Sequence, residues 1–211
     1  MAVLAASQIL NRLHIEDPRD PRRLYIMPTP KRSDVKDASI DLVLGNYFIV
    51  TKTAKFSILD AGEGETKKNI ALYQEKVFIP FNYSLVLHPG TFVLGVTWQY
   101  IGMPDDLFAE VFSRSTWGRA GLTVATAVSI HPGFCGCLTL ELVNNGNAPL
   151  ALRPGARIAQ IIFFDVQAGD GKPIPIRASK YCGLIEPDFS RLYEECEELK
   201  GWKNIGINLQ L

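Results

Sequence analysis

The chain has 211 residues, 22 basic and 22 acidic side chains, a formal net charge of zero and 47% hydrophobic residues. That length fits one domain with a full core, and the charge balance excludes a bulk electrostatic grip on nucleic acid or an anionic membrane surface. Any anion must be held locally, and no apolar run approaches the roughly 20 residues needed to span a bilayer.

The start, MAVLAASQILNRLHIED, carries no basic run ahead of its apolar residues and does not read as a signal peptide. Four cysteines (Cys135, Cys137, Cys182 and Cys196) in such a context are expected to be reduced thiols in the cytoplasm. Residues 5–13 place Ala5, Ile9, Leu10 and Leu13 on one helical face, which predicts a short amphipathic helix. DPRDPRRLYIMPTPKRSD, with four prolines, predicts an irregular extended arm. From Ser39 the texture changes to short apolar runs cut by Gly, Pro and Asn, the pattern of an all-β sandwich or barrel with minor helices. DFSRLYEECEELKGW, with Asp188 as cap and Leu192, Cys196 and Leu199 at helical spacing, predicts a late helix, and INLQL a final edge strand.

HPGFCGCLTLELVN, residues 131–144, holds a histidine, two cysteines and a glutamate. After the Pro-Gly turn, the two-residue period sends Leu138, Leu140 and Leu142 into the core and Cys137, Thr139, Glu141 and Val143 to the opposite face. Glu141 then has two readings. It is a solvent-facing carboxylate on an outer sheet face, or a desolvated carboxyl whose raised pKa suits proton transfer near neutrality. A zinc site built from His131, Cys135 and Cys137 is disfavoured, since no second ligand pair stands elsewhere and no zinc-deaminase spacing is present. No metal ligand is therefore assigned, and the cysteines read as packing residues. Upstream, VFSRSTWGRAGL brings Arg114, Ser115, Thr116, Gly118 and Arg119 within six residues. Hydroxyls, exposed backbone N–H groups and guanidinium forks are what a polyphosphate requires, although an ordinary polar turn has the same composition. Lys180 and Tyr181 form a second candidate phosphate group.

The ordered blocks ASIDLVLGNYF, LHPGTFVLGVTWQYIGMPDDLFAEV, SRSTWGRAGL, HPGFCGCLTLELVN and LRPGARIAQIIFF resemble the dCTP deaminases of the dUTPase-like superfamily. The resemblance covers residues 1–190, a β-barrel domain with N-terminal helix and arm, and leaves 191–211 as an extension without assigned role. It implies a distorted β-barrel, jelly-roll-like subunit in a homotrimer with active sites between subunits. It also implies zinc-independent hydrolysis of dCTP, carried with Mg2+ on its triphosphate, to dUTP and ammonia. Glu141 takes the position of the proton shuttle. Ser115 and the Ala127 carbonyl position the attacking water, and Arg119 sits beside glutamate and base. Arg114, Ser115 and Thr116 meet the phosphates, flanked by Trp117 and Gly118. The backbone of Thr139, Leu140 and Glu141 reads the cytosine edge, and Lys180 reaches the triphosphate.

The departures from that family pattern are also specific. His131 replaces an aspartate that meets the deoxyribose, and Leu184 replaces a glutamine that holds the triphosphate. Ser113 replaces a glycine, and Trp117 a small aliphatic residue. His131 lacks a fixed negative charge, which argues against a bifunctional deaminase–diphosphatase or a dUTP diphosphatase. The favoured expectation is an active deaminase of dCTP or of a closely related cytosine nucleotide. The remaining alternative is a nucleotide-binding trimer without catalysis, against which the intact Glu141 speaks.

Overall fold

The computed structural model describes residues 2–60, 65–125, 129–166, 181 and 183–195. In chain order the strands are β1 (Tyr25–Met27), β2 (Ile40–Val43), β3 (Tyr47–Thr51), β4 (Gln74–Phe78), β5 (Leu85–Leu87), β6 (Phe92–Gly102), β7 (Leu107–Ser113), β8 (Leu122–Ala125), β9 (Ser129–Ile130), β10 (Cys135–Asn144), β11 (Leu150–Leu152) and β12 (Arg157–Asp165). The helices are α1 (Ala6–Leu13), α2 (Thr66–Tyr73) and α3 (Ser115–Arg119).

Eleven-residue β6 organises the larger sheet, whose order is β4-β3-β6-β10-β8 with β1 added along the end of β6. A second sheet runs β2-β12-β7-β9, and β11 pairs with β5. The two larger sheets share one apolar core, with Phe48, Leu140 and Leu142 from the first and Leu42, Ile161 and Phe163 from the second all buried. Burial of such side chains is the dominant favourable term in folding. The mostly-β expectation holds, but the barrel is corrected: among the described residues these are separate open sheets with no ladder closing them into one cylinder.

The first helix forms as its spacing predicts, with Ile9 and Leu13 buried and Leu10 packed against the core. Ala5 is exposed ahead of the first turn, where its N–H donates to Gln8 Oε1 at 2.9 Å, and Leu4 fills the core instead. The arm is less irregular than its prolines suggest. Between Pro21 and Pro28, Leu24 and Ile26 are buried, and β1 pairs with β6 from Tyr25↔Gly102 to Met27↔Tyr100. The sequence offers little sign of α2, whose buried residues are Thr66 and Ile70 alone.

One polar residue locks the β10–β11 turn. Asn144 is fully buried, its Nδ2 donating to the carbonyls of Leu87 and Ala148, each at 2.8 Å, and its Oδ1 accepting from Gly146 N–H at 2.9 Å. Gly146 lies against Gly121, whose φ is +93° and where a Cβ would come within 2.5 Å of the Gly146 Cα. The turn that leads from α3 into β8 is thereby seated on the end of β10. Asn144→Ala is expected to cost about 3 kcal/mol in chemical denaturation, because the buried hydrogen bond to the Leu87 carbonyl and the part-buried ones to the Ala148 carbonyl and Gly146 N–H are lost together. A loss below about 1 kcal/mol would mean that water replaces the amide.

Candidate functional site

Strand β10 is the floor of the site. Its side chains alternate as expected, with Leu138, Leu140 and Leu142 buried and Cys137, Thr139, Glu141 and Val143 half-buried on the other face. That second face does not open onto a flat solvated surface. It borders a cleft of about 400 Å³ whose wall carries Leu59, Phe92, Leu94, Ile130 and Phe134. Thr139, Glu141, His131 and Tyr181 also line this cleft.

Glu141 pairs across the ladder with Leu94 on one side and Ala125 on the other. No described residue hydrogen-bonds or ion-pairs with its carboxylate. Desolvation against this apolar wall pushes its carboxyl pKa upward, and the same cause raises the thiol of Cys137. The outer-face reading of Glu141 therefore gives way to a cleft reading. A thiol shifted upward is a poor nucleophile, in keeping with Cys137 as a packing residue. Cys137 is a free thiol, and among the described residues no three His, Cys, Asp or Glu side chains converge on one point.

His131 is exposed at the mouth of the cleft, edge-on to Phe108 with ring centres 6.1 Å apart. Leu140 points into the core, so only its backbone is available to a ligand. Leu184 does not line the cleft; its carbonyl accepts from Cys137 N–H at 2.8 Å, and Gly183 N–H donates to the Cys135 carbonyl at 2.6 Å. The segment containing Leu184 is thus laid along the start of β10 by its backbone, a role a leucine fills as well as a glutamine. Ala127 and Lys180 lie outside the described residues, as do Cys182, Cys196, Leu199 and the INLQL segment.

The basic-polar segment is a short helix rather than an open loop, and it stands apart from the cleft. Arg114 caps α3; Ser115, Thr116, Trp117, Gly118 and Arg119 form it, and none of the six lines the Glu141 cleft. Its position is fixed at both ends. The Ser113 hydroxyl accepts from Val124 N–H at 3.0 Å and donates to the Val124 carbonyl at 3.3 Å, joining β7 to β8. A glycine there would lack this crosslink. Trp117 Nε1–H donates to the Arg157 carbonyl at 2.9 Å, pinning α3 to β12. Arg119 is exposed with no side-chain partner among the described residues.

Three further residues reach the cleft without any signal in their local sequence. Gln74 is buried at the start of β4, and its Oε1 accepts from Ser190 N–H at 3.0 Å. Ser190 and Asp188 both line the cleft, so the chain after Leu184 forms one of its walls. Asp188 is not the cap of a long helix. Its carboxylate accepts from Phe189 N–H and from Arg191 Nη2 at 2.9 Å each. Arg191 caps the turn at Leu192–Glu194, which leads into helical Glu195, and the rest of the expected helix lies outside the described residues. The Arg191 guanidinium lies over the Tyr181 ring at 5.2 Å, and the Tyr181 hydroxyl accepts from Arg191 N–H at 3.2 Å. Lys76 pairs with Glu186 at 3.5 Å, completing the attachment of this segment to β4.

The family model described as dCTP deaminase-like matches residues 9–166. A protein of Methanobrevibacter smithii named dCTP deaminase, dUMP-forming, is 35% identical over 187 residues, which cover 87% of this chain and 95% of the relative. One of Haloarcula marismortui named dCTP deaminase is 35% identical over 201 residues, covering 92% and 97%. The crystal structure of 2'-deoxycytidine 5'-triphosphate deaminase from Agrobacterium tumefaciens is similar with a TM-score of 0.56 at 23% identity, a likeness of fold alone. It covers 76% of this chain, which spans 46% of that longer one. The chain belongs to the dCTP deaminase-like family.

Proposed function

We propose that this protein hydrolytically deaminates the cytosine of dCTP, taken as its magnesium complex, with Glu141 as the proton shuttle. The observation that carries the reading is Glu141 itself, a half-buried, unpartnered carboxyl with a raised pKa in an apolar cleft. A carboxyl of this kind accepts and returns protons near neutral pH. Glu141 protonates N3 of the base and takes a proton from the water whose oxygen bonds to C4. It then passes a proton to the amino group as the C4–N bond breaks and ammonia leaves, and regains one from the new C4 hydroxyl as the uracil carbonyl forms. Ser115 and the Ala127 carbonyl hold the water, Arg119 stabilises the developing charge, and no zinc is needed. Arg114, Ser115, Thr116, Lys180 and Tyr181 hold the phosphates of the magnesium nucleotide.

Glu141 and the α3 residues do not share a cleft within one chain. This separation supports a homotrimer in which α3 of one copy completes the cleft of the next. The residues of α3 are exposed and unspent in the single chain, apart from the tether of Trp117.

Two products are distinguished by what happens at the phosphates. Retention of the triphosphate as dUTP is supported by His131, which places no fixed carboxylate at the cleft mouth. Release of dUMP is supported by the relative named dUMP-forming. Incubation with magnesium and dCTP, CTP, dCMP or 5-methyl-dCTP, with ammonia, pyrophosphate and nucleotide products followed, separates them. Ammonia without pyrophosphate is the expected result; equimolar pyrophosphate establishes the second product, and no ammonia from any substrate overturns the deaminase reading. His131→Asp is expected to raise the preference for dCTP over CTP by about tenfold, the size of one hydrogen bond to a charged group. An unchanged ratio would remove His131 from sugar recognition.

A further inference from the structure

A second cleft, of about 520 Å³, lies between the arm, α3 and the start of β12, with Lys31, Asp34, Arg114, Trp117 and Arg157 around it. Beneath it sits Asp41 on β2, with only 1% of its surface exposed. A carboxylate so deeply buried is costly unless cations and donors surround it. Gln160, its ladder partner on β12, donates from Nε2 to Oδ1 at 3.1 Å. Arg114 Nε stands 3.6 Å from Oδ1 and Arg157 Nε 3.7 Å from Oδ2, while Oδ2 itself accepts no hydrogen bond.

The two arginines differ in what their outer nitrogens do. Arg157 Nη2 is taken by Asp34 at 2.6 Å. The Arg114 guanidinium has no other partner among the described residues, and the side chain is 29% exposed. Asp41 therefore faces the Nε edge of Arg114 and leaves the terminal fork free. A guanidinium held in this way presents two parallel N–H donors to a phosphate, with its rotamer entropy already spent in folding.

We infer that Asp41 is a positioning residue for nucleotide binding: its buried carboxylate orients Arg114 so that the guanidinium fork meets the substrate's phosphates. Asp41 touches no substrate and acts only through Arg114. The inference rests on the deaminase reading for the identity of the nucleotide, and not for the geometry.

The test uses Asp41→Asn, which keeps an acceptor for Gln160 and removes the charge, together with Arg114→Ala and the double variant. Asp41→Asn is expected to raise both Kd and KM for magnesium-dCTP about tenfold while kcat stays within about twofold. Affinity for deoxycytidine, which has no phosphate, is expected to be unchanged. In the Arg114→Ala background, Asp41→Asn is expected to add less than about twofold, because the two act as one unit. A full independent loss in that background, or a fall in kcat with KM intact, overturns the inference. Arg114→Lys provides a check that does not depend on folding of the Asp41 variant. It keeps the charge without the Nε–H edge and is expected to bind no better than Arg114→Ala within about threefold; recovery of most of the affinity overturns the inference. Calorimetric Kd separates the two levels. Wild-type binding without ammonia release defeats the deaminase reading and leaves Asp41 readable on Kd. Turnover with a Kd insensitive to Asp41→Asn defeats this inference alone, and no triphosphate binding by the wild type defeats both.

Discussion

Replacing Glu141 with glutamine is expected to lower kcat by about a thousandfold or more while changing the Kd for magnesium-dCTP by less than about threefold. Glutamine keeps the shape and one acceptor of the carboxyl but cannot cycle a proton. The same variant carries a stability signature with a definite sign. Desolvation raises the folded-state pKa of Glu141 above its unfolded value, so the fold favours the protonated form. Below the unfolded value both states are protonated and burial carries no charge penalty. As pH rises through the folded value, the native state must hold an unpaired carboxylate and loses stability. Glu141→Gln removes that penalty. Its Tm is expected to equal or exceed that of the wild type at pH 8, with the gap closing as pH falls into the ordinary carboxylate range. Thermal melts between pH 4 and 8 and single-turnover assays check both halves. Lost binding together with a Tm lowered at every pH would mark Glu141 as a structural residue.

The second large effect concerns the separation between β10 and α3. Glu141→Gln and Arg119→Ala are each expected to be inactive alone. Mixed, denatured and refolded together at equal amounts, they are expected to regain about a quarter of wild-type activity, since the proposed site between copies would draw Glu141 from one chain and Arg119 from the next. The geometry behind this is specific. Strand β8 joins α3 at Leu122, which pairs with Asn144, and meets Glu141 only at its far end through Ala125. Arg119 immediately precedes that turn and is exposed away from the cleft. Activity below about one per cent in the mixture, with trimers confirmed by light scattering, would place both residues in the same chain's site.

The alternation in CGCLTLELVN is a direct consequence of strand geometry, and Leu138, Leu140 and Leu142 are buried where the two-residue period puts them. Whether the opposite face meets water or a cleft is not a property of that strand. The cleft exists because Leu59, Phe92, Leu94 and the chain around Ser190 stand over it, and these come from three distant stretches. Periodicity left Glu141 open for that reason, and the family resemblance pointed to a pocket-facing role. The basic segment has a composition compatible with an anion site, but its helical form was not legible, because that depends on the Ser113–Val124 crosslink and the Trp117 tether. Asp188 reads as a helix cap from sequence alone, but its carboxylate grips Arg191, and it is Arg191 that caps the turn at Leu192–Glu194. Strand β1 hid between two prolines, where burial of Leu24 and Ile26 and an open edge of β6 decide the outcome. Asp41 sat in a recognised block as an isolated acidic residue, and only the approach of Arg114 and Arg157 across the sheet gives it a role.

The most direct test of the central claim is ammonia release from magnesium-dCTP by the purified wild-type protein, run with and without a zinc-selective chelator. The account predicts one ammonia for each uracil nucleotide formed, at a rate the chelator leaves unchanged. No ammonia despite nucleotide binding, or a rate abolished by the chelator and restored by zinc, would contradict it.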